Sequence, residues 1–208
     1  MPYAPTSQPV VVVIDDDAGV RDSISSLIRS VGFQARVLGS VDEFRQSTRP
    51  DGPCCVVLDV RLPGQSGLDL QRELIASGMN LPIVFITGYG DIPMSVQAMK
   101  GGAIEFLTKP FRDQDLLDAI QLGISKDRAR LEDDKQISAL RARFDHLTSR
   151  EREVLVRVVA GRLNKQIAGE LGISEITVKV HRAQAMRKMK ATSLPDLARM
   201  IDKLKVTT

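Results

Sequence analysis

The chain has 208 residues, of which 43% are hydrophobic and 26% charged, and the absence of any run of about 18 apolar residues argues against a transmembrane helix. Its net charge of +3 is unevenly distributed, because residues 1–125 hold 10 Lys and Arg against 15 Asp and Glu, whereas residues 126–208 hold 19 against 11. An acidic part joined to a basic part predicts two domains with different partners, and the basic part is the candidate for nucleic acid binding.

The amino terminus and the cysteines indicate the cellular compartment. Residues 1–9 lack both the basic region and the apolar region of a secretory signal. Cys54 and Cys55 are adjacent within a predicted strand, so their side chains should point to opposite faces. This favours two core residues over a disulfide or a metal pair. We therefore expect a cytoplasmic protein without a membrane partner.

Strand-like and helix-like segments alternate through about residue 122. The predicted strands are 10–14, 34–38, 54–58, 82–86 and 103–107, and the predicted helices are 20–31, 41–46, 67–76, 92–100 and 114–122, with Ser40 and Asp91 as N-caps. The run Val10–Ile14 is continuously β-branched, which is typical of a strand covered on both faces. Five βα units predict a doubly wound α/β fold with a five-stranded parallel sheet, flavodoxin-like in its order 2-1-3-4-5.

The pattern changes after residue 123. Residues 124–144 are rich in charge and contain neither Pro nor Gly, which predicts a helical linker. The step from Leu131 to Ile137 breaks a heptad repeat and argues against a coiled coil. The rest of the chain is predicted to be wholly helical. The first of these helices begins with a capping box of Thr148 and Glu151, and the next two have N-caps at Asn164 and Ser174. Gly161 and Gly172 mark helix ends, and Pro195 stands at the start of a last helix over 196–205.

Polar side chains follow the ends of four predicted strands in the first part. They are Asp15, Asp16 and Asp17 after the first strand, Asp59 after the third, Thr87 after the fourth and Lys109 shortly after the fifth. In a parallel sheet these positions converge on one edge, where ligands bind. Crowded carboxylates favour a hard divalent cation such as Mg²⁺, and one Asp is left as a nucleophile toward a phosphoryl group. Taken singly, each residue has a simpler explanation, such as a solvated turn, a cap or packing.

Four motifs in this part resemble the receiver domain of two-component response regulators. They are VIDDD at 13–17, LDVRLPG at 58–64, FITG at 85–88 and FLTKPF at 106–111. The resemblance implies that Asp59 is the phosphoacceptor. It also implies that Asp16, Asp59 and the backbone carbonyl of Arg61 bind Mg²⁺ directly, that Asp15 binds it through water, that Thr87 and Lys109 contact the phosphoryl group, and that Phe106 is the aromatic switch residue.

The second part contains a helix–turn–helix pattern with a basic second helix. Helical spacing places Val178, Ala185 and Met189 on its core side, and basic residues on the other side suit DNA phosphates. Alone, the same pattern fits a solvated helix in a small bundle. The blocks LTSREREVL at 147–155, NKQIA at 164–168 and ISEITVKVH at 173–181 resemble the LuxR-type helix–turn–helix module. The resemblance implies that Lys179, Val180 and Ala183 face bases and that Lys165, Thr177 and Arg182 contact phosphates or nearby edges.

Together the two parts resemble a FixJ/NarL-type transcriptional regulator. The expected domains are a receiver at 8–126, a helical linker at 127–142 and a DNA-binding domain at 143–208. The expected partners are a sensor histidine kinase, promoter DNA, a second copy of the chain after phosphorylation and, as a further candidate, RNA polymerase. Two other functions stay open: an aspartyl-phosphate phosphotransfer enzyme, and a constitutive DNA-binding protein whose receiver only dimerises. We expect no enzyme and no catalytic residue, since Arg61 stands where a D-x-D acid/base partner of Asp59 would be.

Overall fold

The computed structural model describes residues 8–205, and the chain divides into two compact units, Met1–Leu131 and Glu132–Thr208. The strands are β1 Val10–Ile14, β2 Gln34–Leu38, β3 Cys54–Asp59, β4 Ile83–Thr87 and β5 Glu105–Thr108. The helices that accompany them are α1 Ala18–Ser30, α2 Val41–Gln46, α3 Gly67–Ala76, α4 Ile92–Lys100 and α5 Asp113–Asp145. All strand pairs are parallel and the order is β2-β1-β3-β4-β5, which confirms the predicted fold class.

The sheet separates two apolar cores, and β3 contributes to both. Cys54, Val56 and Leu58 pack into one core, whereas Cys55 and Val57 pack into the other. The alternation follows from the two-residue period of a strand. Both cysteines are therefore buried free thiols on opposite faces, as predicted. All six residues of β3 are buried, which fixes the position of Asp59 at its carboxyl end.

Two helices of the first unit begin at their predicted caps, whereas some strands end at other residues than predicted. Ser40 and Asp91 each accept a backbone hydrogen bond at the start of α2 and α4, as predicted. Asp59 and Thr87 are the last residues of β3 and β4, one position later than the predicted strand ends. Helix α5 is continuous over 33 residues, so the predicted helix 114–122 and the predicted helical linker belong to one helix.

Asp127, in α5, is a buried charge that the sequence patterns did not reveal. Its carboxylate accepts hydrogen bonds from Arg49 Nη2 at 3.0 Å, from the Cys54 backbone N–H at 2.9 Å and from Arg130 Nε at 3.0 Å. These contacts join α5 to the amino end of β3 and to the segment before it. By its contacts Asp127 therefore belongs with the first unit.

The second unit consists of the carboxyl-terminal part of α5 followed by α6 Ser149–Val159, α7 Asn164–Leu171, α8 Glu175–Met189 and α9 Leu194–Lys203. The capping box of Thr148 and Glu151 is formed as predicted. The prediction of Asn164 as an N-cap was wrong, because Leu163 occupies the cap and Gln166 Oε1 accepts its N–H at 2.9 Å. Helix α9 begins two residues earlier than expected, since Ser193 caps it.

The core of the second unit comes from one face of each helix. Val178, Ala185 and Met189 of α8 are buried, as their spacing predicted. Glu151 is also buried, and its carboxylate accepts a hydrogen bond from Lys188 Nζ at 2.7 Å. This ion pair joins the start of α6 to the end of α8. Among the helices of residues 8–205, none combines the length and the apolar composition needed to cross a membrane.

Candidate functional site

The carboxyl ends of β1 and β3 bring three carboxylates together. Ile14 pairs with Leu58 in the sheet, so the residues that follow, Asp15 and Asp59, lie side by side. Both are buried, whereas Asp16 is exposed. One carboxylate oxygen from each of the three lies within 4.8 Å of the others. The structure therefore assembles the three acidic residues that the sequence predicted to converge.

Lys109 bridges the two buried carboxylates. Its Nζ donates to Asp15 Oδ2 at 2.6 Å and to Asp59 Oδ2 at 2.7 Å. The backbone N–H of Lys109 donates to the carbonyl of Thr87 at 2.7 Å, which fixes the segment after β5 against the end of β4. Burial would lower the pKa of Lys109, but its hydrogen bonds to the two carboxylates outweigh this and raise the pKa. The ammonium group therefore stays charged.

Backbone N–H groups orient the other oxygen of each buried carboxylate. Asp15 Oδ1 accepts from the N–H of Asp17 at 2.9 Å, and Asp59 Oδ1 accepts from the N–H of Arg61 at 2.9 Å. Burial raises the pKa of Asp15 and outweighs the hydrogen bond from Lys109 that lowers it. Additional positive charge near the cluster would therefore stabilise the ionised form of Asp15.

The donor set fits a hard divalent cation. Three carboxylates supply oxygen ligands, the exposed Asp16 leaves the cluster open to water, and Mg²⁺ keeps several waters when it binds to one or two carboxylates. No softer ligand is present in the cluster. The chemistry of these residues therefore agrees with the predicted cofactor.

Gly90, three residues after Thr87, lies close to both Thr87 and Phe106. Thr87 is buried, and its Oγ1 accepts the N–H of Tyr89 at 3.2 Å, which leaves the hydroxyl proton available to a ligand. A Cβ at Gly90 would lie 2.9 Å from the Phe106 ring and 3.2 Å from Thr87 Cγ2. The half-buried Phe106 ring lies 6.3 Å from that of Phe85. The space between Thr87 and Phe106 therefore admits no side chain at position 90 without a shift of its neighbours.

Two residues near the acidic cluster, Gly67 and Tyr89, were not predicted from the sequence, and Arg61 was predicted only through its backbone carbonyl. Gly67 begins α3 against the end of β3, where a Cβ would lie 2.3 Å from the Asp59 carbonyl oxygen. Arg61 places its guanidinium 4.7 Å from the centre of the Tyr89 ring at the cluster edge. A glycine that opens a helix after a buried strand signals close packing, but the Arg61–Tyr89 contact has no comparable sequence signal.

The predicted DNA-contacting residues lie on α7 and α8. Lys165, Lys179, Val180 and Ala183 are exposed, and Thr177 and Arg182 are half-buried. Arg182 Nη1 donates to Asn164 Oδ1 at 3.4 Å, which joins the middle of α8 to the start of α7. Gly172, at φ 66°, makes the turn between the two helices. His181 is half-buried and its Nδ1 has no hydrogen-bond partner among the described residues.

Comparison with known families identifies both units. Residues 11–121 match the family described as "Response regulator receiver domain", and residues 145–201 match "Bacterial regulatory proteins, luxR family". The chain belongs to the two-component response regulators. It is a DNA-binding response regulator with a LuxR-type output domain, and transcription regulators of this family are typically not enzymes. Its receiver and LuxR-type domains indicate a histidine kinase and promoter DNA as partners.

The similarity of this response regulator to its relatives extends over both units of the chain. "Nodulation protein W" of Bradyrhizobium diazoefficiens is 50% identical over 202 residues, covering 97% of this chain and 89% of the relative. "Transcriptional regulatory protein FixJ" of Azorhizobium caulinodans is 46% identical over 198 residues, covering 94% of this chain and 92% of the relative. The solved structure of the response regulator StyR is 47% identical with a TM-score of 0.84, and covers 95% of this chain and all of that one.

Proposed function

We propose that this response regulator is activated by phosphorylation of Asp59 and that phosphorylation strengthens its binding to promoter DNA. The observation that supports this most directly is the Lys109 bridge, with Nζ 2.7 Å from Asp59 Oδ2 and 2.6 Å from Asp15 Oδ2. A cation held between two carboxylates is already placed to pair with the phosphoryl oxygens of a modified Asp59.

The chemistry is transfer from a phosphohistidine of a sensor kinase. An Asp59 carboxylate oxygen attacks phosphorus, a P–O bond forms as the P–N bond breaks, and the imidazole nitrogen keeps the electron pair and takes up a proton. Lys109 and the Thr87 hydroxyl then contact the phosphoryl oxygens. Mg²⁺, held by Asp16, Asp59 and the Arg61 carbonyl and through water by Asp15, would neutralise charge between carboxylates and phosphoryl group.

The proposed switch runs from the phosphoryl group to the surface of α4 and β5. Movement of Thr87 toward the phosphoryl group would draw Phe106 inward, since Gly90 packs against both. The nearby face of α4 includes the exposed Val96 and Met99. A changed surface here would favour homodimers, and two DNA-binding domains on one site add affinity through effective concentration.

The proposed DNA contacts lie on the exposed face of α8 and at the start of α7. Lys179, Val180 and Ala183 would face bases in the major groove, while Lys165, Thr177 and Arg182 would contact phosphates or nearby edges. RNA polymerase is a further proposed partner at the promoter. The exposure of this face, opposite the buried side of the helix, supports the assignment.

The test compares wild type with Asp59→Asn, each with and without acetyl phosphate and Mg²⁺. Molecular mass is measured by light scattering, and DNA affinity by fluorescence anisotropy on a duplex selected from random sequence. Only phosphorylated wild type should dimerise and bind DNA more tightly, by about 5- to 150-fold for an ordinary coupling energy. Asp51→Asn, an exposed carboxylate in the loop before β3, serves as the matched control and should behave as wild type.

Two results would contradict the proposal. Identical DNA affinity in all samples would favour a constitutive DNA-binding protein whose receiver only dimerises. Release of product from a phosphorylated small molecule at many equivalents per chain would favour a phosphotransfer enzyme.

A further inference from the structure

The outward face of α8 exposes aliphatic side chains as well as cations. Within the described part of the second unit, the exposed large apolar residues are Leu163, Ile176, Val180 and Leu194. Ile176 is the most exposed of them, at 74%, and Val180, one helical turn later, is 49% exposed. Single exposed apolar residues are ordinary on protein surfaces, so exposure alone indicates nothing. The position of Ile176 on the helix, in addition to its exposure, indicates a role in DNA binding.

Ile176 lies on the outward face of α8, in the first turn of the helix. At roughly 100° per residue, Ile176, Val180 and Ala183 fall within an arc of about 60°. Val178 and Ala185, which are buried, project on the opposite side of the same helix. Ile176 is the second residue of α8, and the first residues of a recognition helix are those that reach base edges in helix–turn–helix proteins.

The side chain of Ile176 determines which base feature it can recognise. It has no hydrogen-bond donor or acceptor, so it cannot read the polar edges of bases. The apolar group that a base pair presents in the major groove is the 5-methyl group of thymine. We propose that Ile176 is a specificity-determining residue that contacts a thymine methyl in the operator. Val180 would contact a second thymine methyl beside it. This rests on the proposed placement of α8 in the major groove.

The spacing of the two side chains indicates how many thymines are involved. Four residues of α-helix rise about 6 Å, which spans nearly two base-pair steps of about 3.4 Å. With α8 lying along the major groove, Ile176 and Val180 would therefore meet neighbouring base pairs. The half-site should contain at least two thymines whose methyl groups contribute to affinity.

The experiment removes the methyl group from the DNA and the side chain from the protein. Full-length protein, treated with acetyl phosphate and Mg²⁺, first selects its sites from a randomised duplex library. Each thymine of the selected half-site is then replaced singly by deoxyuridine, which keeps base pairing and lacks only the methyl group. At one thymine, wild type should lose affinity about three- to fivefold, as expected for one buried methyl group. Ile176→Ala should not distinguish thymine from deoxyuridine there.

Two controls separate this role from a structural one. Ile176→Ala should keep the wild-type circular dichroism spectrum and the wild-type salt dependence of binding, because it removes no charge that neutralises a phosphate. Leu194→Ala, which trims another exposed aliphatic side chain in the same unit, should keep the wild-type preference for thymine at every position.

Two results would overturn the inference while leaving sequence-selective DNA binding intact. In one, Ile176→Ala keeps the wild-type ratio of thymine to deoxyuridine affinity at every position. In the other, it weakens binding to all sequences equally. If the wild-type chain selects no sequence, the result contradicts the proposed DNA contacts of α8. It then also contradicts the proposed role of Ile176, which depends on them.

Discussion

Removal of the buried carboxylate in Asp127→Ala should destabilise the first unit by about 3 kcal/mol. The substitution leaves the Cys54 N–H without its acceptor at 2.9 Å, a loss worth about 1–3 kcal/mol when the group is buried. It also separates Arg49 and Arg130 from their shared anion. Breaking a fully buried ion pair costs about 3–5 kcal/mol, but these arginine side chains are 33% and 29% exposed, so water compensates much of that cost.

Native-state hydrogen exchange in the full-length chain measures this effect unit by unit. The slowest amides of β1 and β3 should exchange roughly 150-fold faster, which corresponds to about 3 kcal/mol, while those of α6 to α8 provide an internal reference. Asp127→Asn keeps an acceptor for the Cys54 N–H and should show a smaller effect. Asp133→Ala breaks an exposed pair with Lys203 and should change exchange in its own unit by less than about 1 kcal/mol.

An acceleration of less than about fivefold in Asp127→Ala would refute the reasoning. It would mean that desolvation of the three charged groups already offsets their attraction in the wild-type protein.

Three further predictions concern the second unit and the acidic cluster. Burial would raise the pKa of Glu151, but hydrogen bonds, chiefly from Lys188, hold it below 4.5. The ionised carboxylate therefore stabilises the fold above pH 4.5, and this contribution is lost as pH falls. In Glu151→Gln, hydrogen exchange of α6 should depend less on pH than it does in wild type. Gly67→Ala places a Cβ 2.3 Å from the Asp59 carbonyl oxygen and should slow phosphorylation by acetyl phosphate about tenfold or more. Lys109→Met removes the hydrogen bond that lowers the pKa of Asp15, so burial raises that pKa further; thermal stability should therefore fall as pH rises from about 4 to 7, and Mg²⁺ should restore it.

Each of these predictions has a contradicting result. Equal pH profiles for wild type and Glu151→Gln would show that the buried ion pair does not govern acid stability. Gly169→Ala is the control for Gly67→Ala, because an added Cβ there meets no atom within 4 Å, and equal phosphorylation rates in both variants would contradict the packing argument. Stability of Lys109→Met that does not respond to Mg²⁺ would argue against a cation site at the cluster.

The sheet and the acidic cluster could be predicted because both depend on local patterns. Continuous apolar runs such as Val10–Ile14 mark strands covered on two faces, and alternation with helices then restricts the order. Asp15 and Asp59 were expected to meet because the carboxyl ends of neighbouring parallel strands share an edge. Buried positions of α8 such as Val178 followed from helical periodicity.

The residues that sequence patterns missed depend on contacts between distant segments. Asp127 lies in a charged stretch typical of a solvated helix, and its burial depends on Arg49, 78 positions earlier. Asn164 has a side chain suited to an N-cap, yet in the fold it accepts from Arg182 while Gln166 satisfies the N–H at the cap. Tertiary contacts therefore override a local preference at both places.

Strand β3 also makes thiol chemistry a measure of whether the sheet is intact. The chain contains only two cysteines, Cys54 and Cys55, and burial raises the pKa of the Cys54 thiol to about 11 and that of Cys55 further. At neutral pH both thiols are protonated and shielded, so an alkylating reagent reaches them only when β3 separates from its neighbours. The folded wild-type chain should consequently not react with such reagents. A cysteine introduced on the surface can be labelled selectively, and the native pair records each opening of the sheet.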